Sequence, residues 1–518
     1  MLPNELTHDR DSLFEQILEN PIDLEARRIY ADCLAEHGDP RGEFILRQFE
    51  VEESDPWSPA FVDAKLEADR LLQQNDGQWD SDFWEFVTQE FPPDEEYFRS
   101  RSVDPKVTNK IGFHYRYGFV DNFEFRQARE FRKLDILVSL VPLRKLVLGV
   151  GVDDKSTSLL ASFRHIDVTT TTSDFLSSLD MQELESFKFR APTMGTDKIL
   201  TAIRKTPFAN LRSLDLSCNK ITSIGLERLA VAGCFENLEH LRLTDNPLGN
   251  GAANTLAKGG ALGSLQSLNI KLTNIGDLGF KNLAEKGTPA LKKLAIGWWF
   301  GTNPTAKGIR RLLDSGCLSN LTELDLTGWE MPPDVVQAIA FAPELANLKI
   351  LRLGNTRIDD RSTELLASSK HLRQLDLLDL TASKISLRGL QTLLESDAAD
   401  GLTSLNLSGV NSLAESDLKN IFELPTLSSL RYLDLSRKSL SPMGLKTISK
   451  SESLCDLQAL DLTDNEFEDR DIFDLSANNS LESVCQVRIN TKQLSEKSVD
   501  VLKNKFSVFT TPGRLDRY

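Results

Sequence analysis

The second half of the chain alternates apolar and polar positions in a short pattern that returns at a nearly constant interval. The pattern is Leu-x-x-Leu-x-Leu, and its clearest copy begins at Leu211. Later copies follow at steps of 26 to 30 residues, most often 27, as far as Val484. About ten residues after many copies, apolar residues recur three apart, as in Gly225-Leu226-x-x-Leu229. The alternation predicts a short strand and the spacing of three predicts an amphipathic helix.

Units of this length must stack on one another, because one strand and one helix cannot bury their own apolar faces. Weaker copies begin upstream at Leu143, Phe163 and Leu184, and the segment from Gly118 to Phe125 predicts a leading strand. We therefore expect an α/β fold, a horseshoe-shaped solenoid with a parallel concave sheet and convex helices. It would span residues 111–509 and leave a polar tail at 510–518.

This array resembles the leucine-rich repeat family, in particular its ribonuclease-inhibitor-like subtype with units of about 27 to 29 residues and a convex helix. The full LxxLxLxxN pattern is present in LRSLDLSCN, LEHLRLTDN and LQALDLTDN, which end at Asn219, Asn246 and Asn465. The resemblance implies that these Asn side chains hydrogen-bond backbone groups of the next turn, as a ladder along the array. This ladder position holds other residues in most of the remaining units, which predicts less regular turns there: Thr273, Trp299, Trp329, Thr356, Ser383, Val410 and Lys438.

The first fifty residues lack this period and predict a small all-α domain. Apolar residues recur at helical spacing from Asp11 to Glu19, Asp23 can cap a second helix, and a third helix follows the turn at 39–42. The run from Phe14 to Glu50 resembles the bacterial repeat-companion domain, found beside repeat arrays notably in planctomycetes. The matching residues are Pro21, Asp23, Arg27 or Arg28, Tyr30, Ala31, Asp32, Leu34, Glu36, Gly38, Asp39, Pro40, Glu43, Phe44 and Ile45. The resemblance implies a companion to the repeats and no established chemistry.

Four charged residues of this domain permit two interpretations: Arg28, Asp32, Arg41 and Glu43. They can hold the three helices together through charge-assisted hydrogen bonds. The alternative is a hydrolase site, which predicts a pocket with perturbed titratable groups around Arg28, Asp32 and Glu43.

Residues 51–110 form a connector that is dense in aromatic residues for so polar a stretch: Trp79, Phe83, Trp84, Phe86, Phe91, Tyr97 and Phe98. We expect these rings to cap the N-terminal edge of the sheet, because a solenoid must shield its first strand. Direct binding of a partner by these rings is the alternative.

The charge balance narrows the class of partner. The 518 residues carry 60 Lys and Arg against 77 Asp and Glu, a net charge of -17. Nucleic acid is therefore not an expected partner, since its binding depends on clustered basic side chains. No run reaches the roughly 20 apolar residues of a membrane helix, and the N-terminus lacks the apolar core of a secretory signal. We expect a cytoplasmic protein that binds no membrane.

Sequence signatures of catalysis and cofactor binding are absent. The chain has no GxxxxGK[ST] phosphate loop, no GxSxG nucleophile elbow and no HExxH helix. Its six His lie in different units and its six Cys include no CxxC pair, so a zinc site or a disulfide framework is not expected. We expect no enzymatic activity, no cofactor, no metal and no small-molecule substrate.

The predicted concave face supplies the candidate binding residues. Its central row, the fifth position of LxxLxLx, alternates in charge at Asp215 and Arg242 and again at Asp325, Arg352 and Asp379. This order mostly keeps like charges off neighbouring strands. The row could be the balanced surface of a solvated sheet, or a polar groove that contacts a protein.

A cluster of large rings lies at adjacent turns near the middle of the array: Trp298, Trp299, Phe300 and Trp329. A solenoid normally exposes such turn positions, and Trp is enriched in binding hot spots. These rings therefore predict a partner site, with an inserted turn folded onto itself as the alternative.

The sequence as a whole predicts a non-catalytic scaffold or adaptor that binds a protein partner of unknown identity through the concave face and its ascending turns. An alternative function rests on a resemblance to the Ran GTPase-activating proteins, which share the helix-bearing repeat and regulate a bound GTPase. That resemblance is one of fold alone.

Overall fold

The computed structural model describes the helical N-terminal region, most of the repeat array and short pieces between them. The described residues are 3–21, 23–53, 64, 67–68, 70–72, 74–75, 79, 115–116, 119–120, 122–125, 134–148, 163–169, 184–191, 210–231, 235, 237–258, 263–286, 288–297, 304–410, 412–477, 481, 483–484, 486–490, 494–506 and 508–510. The chain divides into two compact units, residues 1–219 with 232–237, and residues 220–231 with 238–518.

Three helices open the first unit, as the sequence predicts: α1 (Pro3–Glu19), α2 (Leu24–Glu36) and α3 (Pro40–Glu53). Asp23 caps α2, its carboxylate accepting a hydrogen bond from the Ala26 N–H at 3.0 Å. Gly42 lies where α3 crosses α2, and a Cβ there would come within 2.6 Å of the Ala31 carbonyl oxygen. The two helices can therefore approach this closely only with glycine at the crossing.

The core of these helices also takes in a residue from the strand region. Phe119 is fully buried among Ile17, Tyr30 and Ile45. Arg27, also fully buried, has its guanidinium carbon 4.9 Å from the Phe119 ring centre and donates to the Pro142 carbonyl oxygen at 3.1 Å. The helical region is thus fixed to the start of the strands inside the first unit.

The strands of the first unit follow in chain order. They are β1 (Tyr115–Arg116), β2 (Phe119–Val120), β3 (Asn122–Phe125), β4 (Lys145–Leu148), β5 (His165–Thr169), β6 (Ser186–Arg190) and β7 (Ser213–Asp215), with α4 (Leu134–Leu140) between β3 and β4. β1 and β2 pair antiparallel. β3 to β7 pair parallel, each with the next. The predicted leading strand is therefore two strands, since β2 turns back on β1 and only β3 joins the parallel sheet.

The second unit repeats strand, turn and helix. Its strands are β8 (His240–Arg242), β9 (Ser267–Asn269), β10 (Lys293–Ala295), β11 (Glu323–Asp325), β12 (Ile350–Arg352), β13 (Leu377–Asp379), β14 (Ser404–Asn406), β15 (Tyr432–Asp434), β16 (Ala459–Asp461), β17 (Gln486–Arg488) and β18 (Val508–Thr510). Its helices are α5 (Ser223–Val231), α6 (Gly249–Lys258), α7 (Asp277–Lys286), α8 (Ala306–Leu313), α9 (Pro333–Ala340), α10 (Asp360–Ala367), α11 (Leu387–Leu394), α12 (Glu415–Phe422), α13 (Pro442–Ser449), α14 (Asp469–Ala477) and α15 (Glu496–Lys505). Short 3-10 helices lie at Pro343–Leu345 and Pro425–Ser429.

The sheet of the second unit keeps one register throughout. The middle leucines of neighbouring strands face each other, as Leu324 faces Leu351 and Leu351 faces Leu378. These leucines are buried while the residues on either side of them are partly exposed. The constant period therefore places the same position of every unit in one row, and the predicted α/β repeat solenoid is confirmed.

Different side chains at the ladder position make hydrogen bonds to the backbone of the turns. Asn465 accepts from the Lys438 N–H at 3.1 Å and donates to the Leu435 carbonyl oxygen at 2.9 Å, which ties two turns together. Thr273 donates to the Ile270 carbonyl oxygen at 2.6 Å. Lys438, itself buried, donates to the carbonyl oxygens of Val410 and Leu413. The turns at Thr273 and Lys438 therefore satisfy backbone carbonyl groups without an Asn.

Hydrogen bonds also join the starts of neighbouring helices in the last part of the array. A carboxylate at the first residue of one helix accepts from the residue that caps the next, in the pairs Asp360–Ser386, Glu415–Ser441 and Asp469–Ser495. The first helix of each pair also has an acid that caps its own N-terminus, Asp359, Asp417 or Asp471. The repeats of this part are thus linked in pairs.

Among the residues that the structure describes, no helix has both the length and the apolar character needed to cross a bilayer.

Candidate functional site

The open face is the side of the sheet away from the helices, which the sequence predicts to be concave. Each repeat places three side chains on this face, at the third, fifth and seventh positions of the LxxLxLx pattern. Neighbouring strands of a sheet lie about 4.8 Å apart, so each position forms a continuous row. The fifth-position row contains the predicted binding residues.

Acids and amides of the fifth position have a structural task. Their side-chain oxygens accept the backbone N–H two residues on, at 2.9 to 3.1 Å, in the pairs Asp215–Ser217, Asn269–Lys271, Asp325–Thr327, Asp379–Thr381, Asn406–Ser408, Asp434–Ser436 and Asp461–Thr463. This local bond closes the turn that ends each of these seven strands. The Asp and Ser or Thr rows therefore reflect turn formation as well as surface charge.

The predicted alternation of charge is present, since acids and bases lie opposite each other on neighbouring strands. The salt bridges of Asp325 and Arg352, however, do not join these opposite residues. Asp325 faces Arg352 across the strands, yet its salt bridge is with Lys271 at 2.6 Å. Arg352 pairs with Glu323 at 3.4 Å. The Lys271 side chain reaches a strand two positions away because the repeat between them has Gly297, a residue without a side chain, next to the aliphatic part of Lys271.

The environment of Asp325 follows from these contacts. Burial alone would raise the pKa of its carboxyl group, but the attraction of Lys271 and the hydrogen bonds from Thr327 outweigh burial and hold that pKa below its ordinary value. Asp325 is therefore held as a carboxylate that already has a cationic partner.

The two remaining candidates of the fifth-position row, Asp215 and Arg242, lie in the two different compact units of the chain. Asp215 lies in the first unit beside Lys188. Arg242 lies in the second unit, exposed and beside Asn269.

The aromatic cluster is only partly within the described residues. Trp298, Trp299 and Phe300 lie outside them. Trp329 is fully buried, so its prediction as an exposed partner-binding residue is wrong. It occupies the ladder position, where the side chains of other repeats are buried as well, as at Thr273 and Asn465.

Sequence analysis overlooked the third-position row. Across β12, β13 and β15 this row contains Ile350, Leu377 and Tyr432, all partly exposed on the open face. The sequence pattern contains the signal for them. Each is a large, mainly apolar residue at the third position of LxxLxLx, which the strand alternation places on the open and mostly polar face.

Buried acids near the C-terminal end of the sheet were also overlooked. Asp434 and Asp461 are 8% and 6% exposed and face each other across β15 and β16. Arg488 lies 3.6 Å from the Asp461 carboxylate. Burial and the nearby Asp461 charge raise the pKa of Asp434 to about 6. Burial, followed by the charges of both acids, raises the pKa of the Tyr432 hydroxyl.

The charged group of the N-terminal helices has surface partners. Arg28 pairs with Glu53, and Glu43 pairs with Arg47 at 2.7 Å. Both Arg28 and Glu43 are well exposed, at 41% of the side chain. These contacts favour the structural interpretation over a hydrolase pocket. Within the described part of the chain, no group of three or more His, Cys, Asp and Glu is placed to hold a metal ion.

The connector aromatics are described at one residue. Trp79 packs on Phe44 of α3, with ring centres 5.0 Å apart. Its contact is with the helical region, and the other six rings lie outside the described residues.

Comparisons with known proteins support the repeat. A family model described as "Leucine Rich repeat" matches residues 209–230. No curated protein matches the chain significantly. Among solved structures, "Crystal structure of Rad7 and Elc1 complex in yeast" contains a chain that is 14% identical with a TM-score of 0.42, covering 89% of this chain and 98% of that one. That likeness is too distant to carry an argument. The family-model match and the repeated strand, turn and helix support a leucine-rich-repeat protein.

Proposed function

We propose that the protein is a non-catalytic scaffold that binds a protein partner through the open face of its second unit. One observation carries the proposal, the partly exposed side chains of Ile350, Leu377 and Tyr432 on that face. A sheet face that only meets water gains nothing from large apolar residues, since apolar surface left in water costs about 25 cal/mol per Å². This row therefore favours a binding face over a merely solvated one.

The finer parts of the proposal rest on resemblance and packing. The repeat length supports the ribonuclease-inhibitor-like subtype. The three packed helices support a bacterial repeat-companion domain, which would act as an accessory fixed to the repeats through Arg27 and Phe119. Among the described residues, Cys317 and Cys455 are free thiols, which agrees with a reducing, cytoplasmic setting. The GTPase-activating alternative has the fold resemblance as its sole support.

Affinity capture with matched variants tests the proposal. The immobilised full chain would be compared with Leu377→Glu on the open face and with Leu278→Glu on α7, where Leu278 is 55% exposed. We expect the first variant to lose a partner, identified by mass spectrometry, that the wild-type chain and the second variant retain. Equal retention by all three chains would overturn the proposal.

A further inference from the structure

Three aspartates of the open face are buried in the described part of the chain, and one of them lacks a cation. Asp167 pairs with Lys188 at 2.8 Å, and Asp461 has Arg488 at 3.6 Å. Asp434 accepts the Ser436 N–H, and no Lys, Arg or His of the described residues lies within salt-bridge distance of it. Its neighbours in register are Asn406 and the like-charged Asp461.

A buried carboxylate without a cation is costly, because burial removes its hydration and the hydrogen bond from the Ser436 N–H replaces only part of it. Asp461 adds repulsion from the adjacent strand. A cation placed against Asp434 by a partner would offset both effects with a charge-assisted hydrogen bond. The remaining carboxylate nearby, Asp379, lies two strands away on β13, and its register neighbour Arg352 is bonded to Glu323.

Apolar side chains lie next to these acids. Tyr432 is two residues before Asp434 on β15, and Leu377 is two residues before Asp379 on β13. Each acid therefore has an apolar neighbour in the third-position row. Two strand spacings put the two acids about 10 Å apart. In an extended polyproline II segment, with three residues per turn, side chains three residues apart lie on the same side and about 9 Å apart.

We propose that Leu377, Asp379, Tyr432 and Asp434 bind an extended segment of a partner protein that carries arginine or lysine beside an apolar residue. A basic side chain lies against Asp434, a second about three residues away lies against Asp379, and apolar side chains contact Tyr432 and Leu377. Arginine fits best, because its planar guanidinium can donate to a carboxylate and also stack on a tyrosine ring. This inference rests on the proposed function and adds the chemistry of the partner.

A fluorescein-labelled peptide of repeated Gly-Leu-Arg serves as the probe, with Gly-Leu-Glu and Gly-Gly-Arg repeats as controls, each titrated with the full chain by fluorescence anisotropy. Two variants make the same charge change, Asp434→Asn on the open face and Asp400→Asn at an exposed turn. The Asp434→Asn side chain would keep the strand-end turn, as Asn406 does with Ser408 at 2.9 Å. We expect Asp434→Asn to weaken the Gly-Leu-Arg probe about tenfold and Asp400→Asn to leave it unchanged.

The possible results separate the two proposals. Equal weakening by both variants would show attraction to bulk charge and overturn the inference, as would tight binding of either control peptide. Self-association abolished by Asp434→Asn in sedimentation would make a second copy of the chain the occupant, against the inference. A captured partner lost with Leu377→Glu but retained with Asp434→Asn would leave the scaffold standing and remove its basic specificity.

Discussion

The Asp434→Asn variant is expected to bind a basic partner less well and to fold more stably. In the folded chain, burial and Asp461 raise the pKa of Asp434 to about 6, against about 3.9 in an unfolded chain. The folded state therefore binds more protons than the unfolded state between about pH 4 and pH 6. The free energy of unfolding therefore falls as the pH rises through that window. Above pH 6 the folded chain bears the full cost of the ionised Asp434.

The size of this stability cost follows from the shift in the pKa of Asp434. Each pKa unit corresponds to about 1.4 kcal/mol, so ionised Asp434 costs the fold about 2 to 3 kcal/mol at neutral pH. Asn removes the charge and keeps the hydrogen bond from the Ser436 N–H, because Asn406 makes the equivalent bond in the preceding repeat. We expect Asp434→Asn to stabilise β15 and its neighbours by about 2 kcal/mol at pH 7.5 and by little at pH 4.

Hydrogen exchange with mass spectrometry measures this locally, as the opening free energy of residues 404–461 corrected for intrinsic exchange at each pH. Asp400→Asn is the control, since it makes the same charge change at an exposed turn. A stabilisation independent of pH, or a loss of stability at pH 7.5, would refute the reasoning from a buried, uncompensated charge.

Three further substitutions test the account of packing. Lys438→Asn should stabilise the chain by about 1 kcal/mol at pH 7, because burial lowers the pKa of Lys438 to about 8; this advantage should shrink between about pH 8 and pH 10.5 in urea unfolding. Gly389→Ala should cost about 1 to 3 kcal/mol in the same assay, because its Cβ would collide with the Asp360 carboxylate; Gly263→Ala, with nothing within 4 Å, is the control and should cost little. Arg27→Met should cost about 2 to 4 kcal/mol in thermal unfolding by circular dichroism, because it leaves the Pro142 carbonyl oxygen without its donor, and no loss would refute that buried contact.

The repeat period predicted the fold because it constrains every unit in the same way. A leucine at the middle of each strand must be buried, and identical spacing puts it beside its counterpart, as Leu351 lies beside Leu378. The Asn of the ladder could likewise be placed, since Asn465 bonds the neighbouring turn. These features are local or strictly periodic, and sequence carries both kinds of information directly.

The candidate site was predicted less well, because its contacts depend on side-chain reach between repeats. Asp325 lies beside Arg352 in the register but pairs with Lys271, two strands away, where Gly297 leaves room. Trp329 was interpreted as an exposed turn residue, whereas the ladder position directs it inward. The cost of Asp434 arises from burial beside Asp461, and neither burial nor the missing cation can be read from one repeat.

The central claim is that the open face of the second unit binds a protein partner. Hydrogen exchange of the full chain with and without the partner captured in the Leu377→Glu experiment measures the contact surface directly. The account predicts slower exchange in the strands and strand-end turns of residues 350–381 and 432–436, with the exposed helix surfaces unchanged. Protection confined to the helices, with none in these strands and turns, would contradict it.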